Sequence, residues 1–435
     1  MKRSLCAMLP AVALFFSWQV NVYWQVNRCD AEELRPSTAG PVTVSPDDWP
    51  WWRGPNRDNV AVATQTPPLR WSEEENIDWK VPLPGRGHGS PTVVGDQVFL
   101  ATADLDADVQ SVQCFDRRTG AQQWHADVHR GGLVVEGNKK ASLASSTVAS
   151  DGERLFINFL NGGAVYTTAL DRQGNQLWQT KISDYKVHQG YGSSPLVYDS
   201  LVIVSADNKG GGAIVGLDRA TGDVVWRHQR PEKPNYPSPI VHRIDGRDQL
   251  LMVGCDLVSS FDPLTGRVLW ETAGATTECV TTTVTDGELI FTSGGYPKNH
   301  MSAVRTDGSG DVVWENNTRI YVPSMLVKDG YLYAVADAGI AACYECGSGE
   351  QVWKGRIRGT FSSSPVLVGE RIFVTSEEGL TYVFAATPDG FTVEAENQLG
   401  DHVMATPVYS HDHIYMRLAH EDDDGRQEML YCIGE

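Results

Sequence analysis

The apolar positions of this chain come in short runs. Stretches such as "VFLAT" (98–102), "LFINF" (155–159), "LVIVS" (201–205) and "IFVTS" (372–376) follow polar turns such as "VGDQ", "SDGE" and "VGER". Runs of that length between closely spaced turn signals predict β-strands. No sustained helical period appears outside the N-terminus. A Ser-Pro or Thr-rich step opens nearly every unit: Ser90-Pro91, Ser146-Thr147, Ser194-Pro195, Ser238-Pro239, Thr281-Thr282-Thr283, Ser364-Pro365 and Thr406-Pro407. A second pattern closes it. "DRATGDVVW" (218–226) recurs as "DRRTGAQQW" (116–124) and "DPLTGRVLW" (262–270), with looser copies ending at Trp178, Trp314 and Trp353 and a worn one ending at Val393.

The chemistry of the repeat explains its composition. Asp and Thr hydrogen-bond nearby backbone and Gly supplies a positive φ, which together make a tight turn between two strands. The Trp is expected to end the next strand as a flat plate wedged between neighbouring units, its one N–H needing a partner. Four short strands per unit make one propeller blade, and a fixed period of about 40–50 residues marks a repeat architecture. Seven turn copies give seven blades. The C-terminal "MATPVYSHDHIYMRLAHEDDDGRQEMLYCIGE" adds three strands and no Trp strand, while "NIDWKVPL" around Trp79 supplies a lone one. Joining the two ends removes the free sheet edge. The expected fold is therefore all-β: an eight-bladed β-propeller of four-stranded antiparallel blades, closed by an N-terminal strand joined to the C-terminal blade, with seven blades as the alternative.

The Asp-x-x-Thr-Gly-x-x-x-Trp turn resembles that of the PQQ-like β-propeller repeat proteins, over about residues 70–435. That family includes quinoprotein alcohol dehydrogenases and the lipoprotein propeller of the bacterial outer-membrane barrel-assembly machinery. The opening "WPWWRGPNRDNVA" (49–61) is similar to the start of secreted PQQ-repeat proteins. Such a repeat fixes the fold far better than the activity.

Residues 1–31 read as a signal peptide, with Lys2 and Arg3 before a short apolar core and "CDA" ahead of a cut before Glu32. Residues 32–48 read as a linker. The propeller then occupies 49–435: a Trp-rich clasp over 49–69 that plugs the rim or stacks on sugars, and the blades over 70–435. The expected location is periplasmic or extracellular, with no transmembrane span in the mature chain and a monomeric state. The 36 basic and 55 acidic side chains give a formal charge of −19, which repels nucleic acid and anionic lipid. Cys114 and Cys343 occupy small interior strand positions ten residues before a blade Trp. Cys343-Tyr-Glu-Cys346 could also close a local disulfide.

Ligand sites of propellers gather in the loops leading into the innermost strand and in those joining the second and third strands. The first set holds Arg86, His88, His188, Tyr191, Tyr236, Arg319, Tyr321 and His402. The second is acidic: 104–108, Asp207, Asp256, Asp337, Glu377-Glu378 and 421–426. Both are expected on one face, as a partly cationic funnel inside a negative rim. The function read from this is a non-catalytic cell-envelope module that docks an envelope protein or a polysaccharide on its loop face, without a cofactor. The alternative implied by the resemblance is a quinoprotein alcohol or sugar dehydrogenase holding pyrroloquinoline quinone with calcium. No adjacent Cys pair and no haem C-x-x-C-H is present to support it.

Overall fold

The computed structural model describes residues 39–435, apart from Asp245. The signal segment and the start of the linker lie outside the described residues. The chain forms eight four-stranded sheets. Seven are built from consecutive strands, and we number these blades 1 (92–130), 2 (149–184), 3 (196–229), 4 (240–273), 5 (284–316), 6 (326–356) and 7 (366–398). Blade 8 takes Val408–Ser410, His413–Asp422 and Gly425–Ile433 from the C-terminus and its outermost strand, Ile77–Leu83, from the N-terminal side. The expected closure is thus met, and the ring has no unpaired gap.

The motif works across the blade boundary as well as within the turn. Asp218 Oδ1 accepts the backbone N–H groups of Ala220 and Thr221 at 2.8 and 3.1 Å, and the same arrangement recurs at Asp116 and Asp262. Gly222 has a φ of 77°, and a Cβ on it would lie 2.6 Å from the ring of Trp178, the Trp of the preceding blade. Gly120 meets Trp79, Gly174 meets Trp124, Gly266 meets Trp226 and Gly349 meets Trp314 in the same way. The Trp indole N–H then donates to a carbonyl in that next turn, as in Trp79 to Arg117 at 3.0 Å, Trp178 to Arg219 at 3.1 Å and Trp226 to Pro263 at 3.1 Å, whereas Trp270 donates to the Gln249 side chain of its own blade at 2.9 Å. The Gly is therefore required twice, for its backbone angle and for the flat seat it leaves. Trp79 on Gly120 makes this same contact between blade 8 and blade 1.

Two expectations need correction. The Trp does not end its strand; Trp226 is the third residue of Val224–Gln229, placed just after a bulge. The six described cysteines are all buried and free, so Cys343 and Cys346 form no disulfide. Cys114 and Cys343 pair directly with Trp124 and Trp353, where Gly216 pairs with Trp226. A small side chain is needed there, because even a Cβ on Gly216 would lie 2.3 Å from the Trp226 indole nitrogen.

The described part of 32–48 is also no free linker. Thr43 donates to Asp151 O, Gly40 O accepts the buried Arg219 guanidinium, and Asp48 Oδ1 accepts Gly95 N–H. Residues 40–66 run across the face that carries the motif turns. Trp49 bridges Val93 of blade 1, Arg57 donates to Val197 O of blade 3, Arg53 to Met325 O of blade 6, and Val60 bridges Leu367 of blade 7. Trp51 is buried with blades 2 and 3 under the Arg57 guanidinium, 4.5 Å from its centroid. In blade 7, which lacks its own Trp, Trp71 from this N-terminal region stacks on Phe373 at 6.5 Å.

Candidate functional site

A central channel runs along the ring axis, and its lining follows from the Ser-Pro step. The innermost strands start at the same height in each blade, so their opening hydroxyls form a chain around the axis. The N–H of Ser90 donates to the Thr147 hydroxyl, Thr147 to Ser194, and Ser194 to Ser238, over 2.9–3.1 Å. On the other side Thr282 donates to Ser324, Ser324 to Ser364, and Ser364 to Thr406, over 2.9–3.0 Å. At Thr282 the hydroxyl instead accepts the indole N–H of Trp52 at 3.0 Å. The clasp thus places Trp52 in the channel wall, on the side where residues 40–66 cover the ring. The remaining cavity is about 200 Å³, and its other side is lined by His88, Ser145, Tyr236 and Ser362.

The structure brings the lead-in and acidic loops together on the opposite face, in three groups. In the first, Glu278 is buried and accepts from two of the expected residues: His188 Nε2 lies 3.1 Å from its Oε1, and the Tyr236 hydroxyl lies 3.5 Å from its Oε2. Lys209 reaches His188 Nδ1 at 2.7 Å. The Tyr321 phenol is pushed up to about 12 by burial and then by the Glu278 charge, and Arg319 lies over the Tyr321 ring at 5.1 Å. Here an acid, two phenols, an imidazole and two cations meet from blades 3 to 6.

The second group sits between blades 8 and 1. The fully buried Arg417 pairs with Glu428 at 3.1 Å and donates to Ala101 O at 2.6 Å. Its guanidinium presses on Gly87, where a Cβ would lie 2.2 Å away. Next to it, His88 keeps a buried Nε2 with no protein partner. Burial, with Arg86, Arg417 and Arg426 nearby, holds His88 well below its ordinary value and therefore neutral. Arg86 donates to the carbonyl of Lys140 at 3.2 Å. The third group is formed by that loop, 131–145, whose Lys140 reaches Glu377 of blade 7 at 2.7 Å while Ser362 donates to the other Glu377 oxygen. The loop leaves blade 1 and is tied to blade 7 across the mouth.

Other expected residues are not there. The Tyr191 hydroxyl turns inward to Ser205 O at 2.9 Å, with the ring edge-on to Tyr185. His402 pairs with Glu421 out on the exposed hairpin. Asp207 is no rim residue: it is the buried counter-ion of Arg230, at 3.2 Å, and also accepts from Asn235. Asp337 accepts the Tyr321 backbone N–H. Asp256 remains on the rim, paired with Lys233 at 2.7 Å. Glu278, Arg417 and Glu428 were missed, since none lies in a repeated motif. The available signal was a lone Glu in "TTECV" and a lone Arg inside the apolar run "IYMRLA".

The family profile described as "Outer membrane protein assembly factor BamB" matches residues 21–184, 108–317 and 297–393. The outer membrane protein assembly factor BamB of Burkholderia pseudomallei (strain K96243) is 25% identical over 341 residues, covering 74% of this chain and 80% of that protein. A polyvinylalcohol dehydrogenase of Pseudomonas sp is 26% identical over 262 residues, covering 55% of this chain but only 38% of that protein. Among solved structures, a europium-containing methanol dehydrogenase superposes with a TM-score of 0.65 at 12% identity, over 90% of this chain and 98% of that one. BamB from Moraxella catarrhalis gives 0.58 at 15% identity, over 81% and 96%. At those identities the superpositions speak for the fold alone. The profile spans most of the blades, so the chain belongs to the PQQ-like repeat propeller family of the outer membrane protein assembly factor BamB.

Proposed function

We propose that this protein is an envelope scaffold that docks a partner, protein or polysaccharide, in the mouth of its propeller and carries out no reaction there. The observation that carries the reading is the contrast in bonding at the two ends of the channel. The clasp and Trp52 take up one end, whereas the mouth presents half-buried His188 and Tyr236 and exposed Arg319 and Lys209 around the buried Glu278. Mixed charge and phenol at the centre of a concave face suit recognition of a polar segment. Membership of a family described by an outer membrane assembly factor favours a protein partner and an exported location. No helix among the described residues is long and apolar enough to cross a membrane.

The dehydrogenase relatives favour a second reading, with quinone and calcium in the same funnel. Glu278 is the buried carboxylate at the mouth, and it already accepts from His188 and Tyr236. A calcium ion would have to take it from both, so the residues present fit the cofactor poorly. Capture from the organism's own envelope fraction on immobilised protein tests the docking reading. Wild type should retain a partner that the double variant Glu278→Gln, Arg319→Ala releases. Equal retention by that variant, or saturable quinone uptake with dye-linked alcohol oxidation, would overturn it.

A further inference from the structure

Three positions recur in every blade: the residue that opens the second strand, the bulged residue before the outer-strand Trp, and the third-strand residue facing that Trp. In blade 1 they are Gln97, Gln123 and Cys114; Gln97 donates to Gln123 at 2.7 Å, and the Cys114 thiol lies 3.6 Å from the same oxygen. In blade 7 Arg371 pairs with Glu394 at 2.6 Å beside Val383. In blade 3 the three are Leu201, Val225 and Gly216, and nothing polar meets. Blade 8 fills the same three places with His413, Asp78 and Cys432.

Those three offer an imidazole nitrogen, a carboxylate oxygen and a sulfur, all within 4.8 Å of one another. The His413 Nδ1 is taken up by the His411 carbonyl. Its Nε2 therefore faces Asp78 Oδ2, at 2.9 Å. A hydrogen bond from Nδ1–H to a backbone carbonyl is the usual support of a metal-binding histidine, since it fixes the tautomer and turns the other nitrogen to the ion. Asp78 is the bulged residue between the pairs Ile77–Ile433 and Trp79–Cys432, and a bulge re-aims its side chain. Gly434 passes over the group so closely that a Cβ would lie 2.6 Å from both Asp78 Oδ2 and His413 Cδ2. Asp78 is exposed and His413 half-buried, so an ion can reach the buried sulfur from solvent.

We propose that Asp78, His413 and Cys432 bind one zinc ion, which staples the N-terminal strand of blade 8 to its C-terminal strands. A thiolate, an imidazole and a carboxylate suit zinc, with water in the fourth position. Binding moves the Cys432 thiol proton to solvent as the Zn–S bond forms, so uptake is coupled to proton release. Tetrahedral zinc with ligand lengths of about 2.0–2.3 Å sets ligand atoms about 3.3–3.7 Å apart, so Asp78 Oδ2 must back away from its 2.9 Å contact with His413 Nε2 to admit the ion, which the exposed Asp78 side chain accommodates by rotation.

The test uses the full chain, stripped with a chelator and then given zinc. Wild type should keep one zinc per chain more than Cys432→Ser after desalting, and should melt several degrees higher with zinc than without. Cobalt in place of zinc should give a sulfur-to-metal charge-transfer band that Cys432→Ser abolishes. Cys432 faces Trp79, so that variant could be unstable for packing reasons. Asp78→Asn changes only an exposed side chain, and it should fold, bind zinc at least tenfold more weakly and lose most of the zinc-dependent rise in melting temperature. Zinc retention by Asp78→Asn equal to wild type, or a wild-type melting temperature unmoved by zinc, would mean that the three residues make an ion pair only.

Discussion

The two faces of this ring are built by different parts of the chain. On the turn face, residues 40–66 lie across the blades with Trp49, Trp51, Arg53 and Asn59 all buried, and their backbone is bonded to several blades in turn. On the mouth face the blades' own loops are tied by backbone bonds between neighbours, such as His88 N–H to Ala144 O and Tyr236 N–H to Cys279 O, and by partly exposed ion pairs such as Lys140–Glu377, His188–Glu278 and Lys233–Asp256. The repeat itself is the same on both. Stability has been placed on one side by a non-repeating segment, and the other side keeps groups that water or a ligand can still reach. Regions with few buried apolar contacts are the ones free to rearrange on binding.

The contrast is broken most severely by deletion. Removing residues 39–66 strips the buried Arg53, Trp49 and Trp51 from several blades at once, and the remaining chain should aggregate or melt far below the full protein. Shortening the mouth loop 133–142 to a Gly-Ser turn should leave the melting temperature within a few degrees, because most of that segment is exposed and its ties are single bonds such as Lys140 to Glu377, Arg86 to the Lys140 carbonyl and Asn138 N–H to Gln189 O. Comparable losses in a thermal melt would mean that the faces are energetically alike.

Single tryptophans sharpen the same point. Trp226→Ala removes a wedge and should cost about 3–5 kcal/mol, the range for a buried aromatic. A tryptophan on a terminal clasp looks cheaper from sequence. Trp51 is nevertheless 6% exposed, among the core of blades 2 and 3, and is covered by Arg57. Trp51→Ala should therefore cost nearly as much in chemical denaturation. A loss under about 0.5 kcal/mol, the size usual for surface substitutions, would show that the clasp is only laid over the ring.

A smaller effect comes from the mouth-side histidine. His88 is held neutral in the folded protein by burial and the neighbouring guanidinium groups. Its depressed value means that the unfolded chain takes up the proton first, below about pH 6.5. Stability is therefore intact above that pH and falls as the pH drops below it. His129 and His242, lowered by burial to about 4, act in the same direction. His88→Gln should make the loss of stability between pH 7 and pH 5 shallower by up to about 1.4 kcal/mol per pH unit without abolishing it. An unchanged slope in urea melts at the two pH values would place His88 in water rather than in the wall.

Much of the fold was legible because a propeller repeats its own solution. Trp79 standing alone before the first turn, with three strands and no Trp at the other end, was enough to close the ring. The mouth was legible only by position. Lead-in loops converge, so His88, His188, Tyr236, Arg319 and Tyr321 do line or flank it, but the reading could not tell which acids stay in water. Asp207 and Asp256 occupy equivalent hairpins, yet Arg230 draws the first into the core while Lys233 holds the second at the surface. Glu278 and Arg417 were harder to read for the opposite reason, since each is unique to its blade and sits outside the repeated motif. What the repeat does not encode, single charged pairs decide.

The least costly change tests whether the mouth loop is held or merely laid in place. Lys140 Nζ and Glu377 Oε2 are 2.7 Å apart, but the lysine side chain is 63% exposed, and exposed pairs contribute about 0.2–1 kcal/mol. The loop also has the Arg86 tie to the Lys140 carbonyl, which a side-chain substitution leaves alone. Lys140→Ala, Glu377→Gln and the pair together should give a coupling below about 0.5 kcal/mol, near the lower end for exposed pairs. The coupling should shrink further in high salt, since screening acts within about 10 Å at 0.1 M. Loop opening read by hydrogen exchange over 133–142 should rise several-fold in Lys140→Ala even though global stability barely moves. A coupling of several kcal/mol would instead show the mouth to be locked as firmly as the turn face, and a partner would then have to approach the propeller from its side.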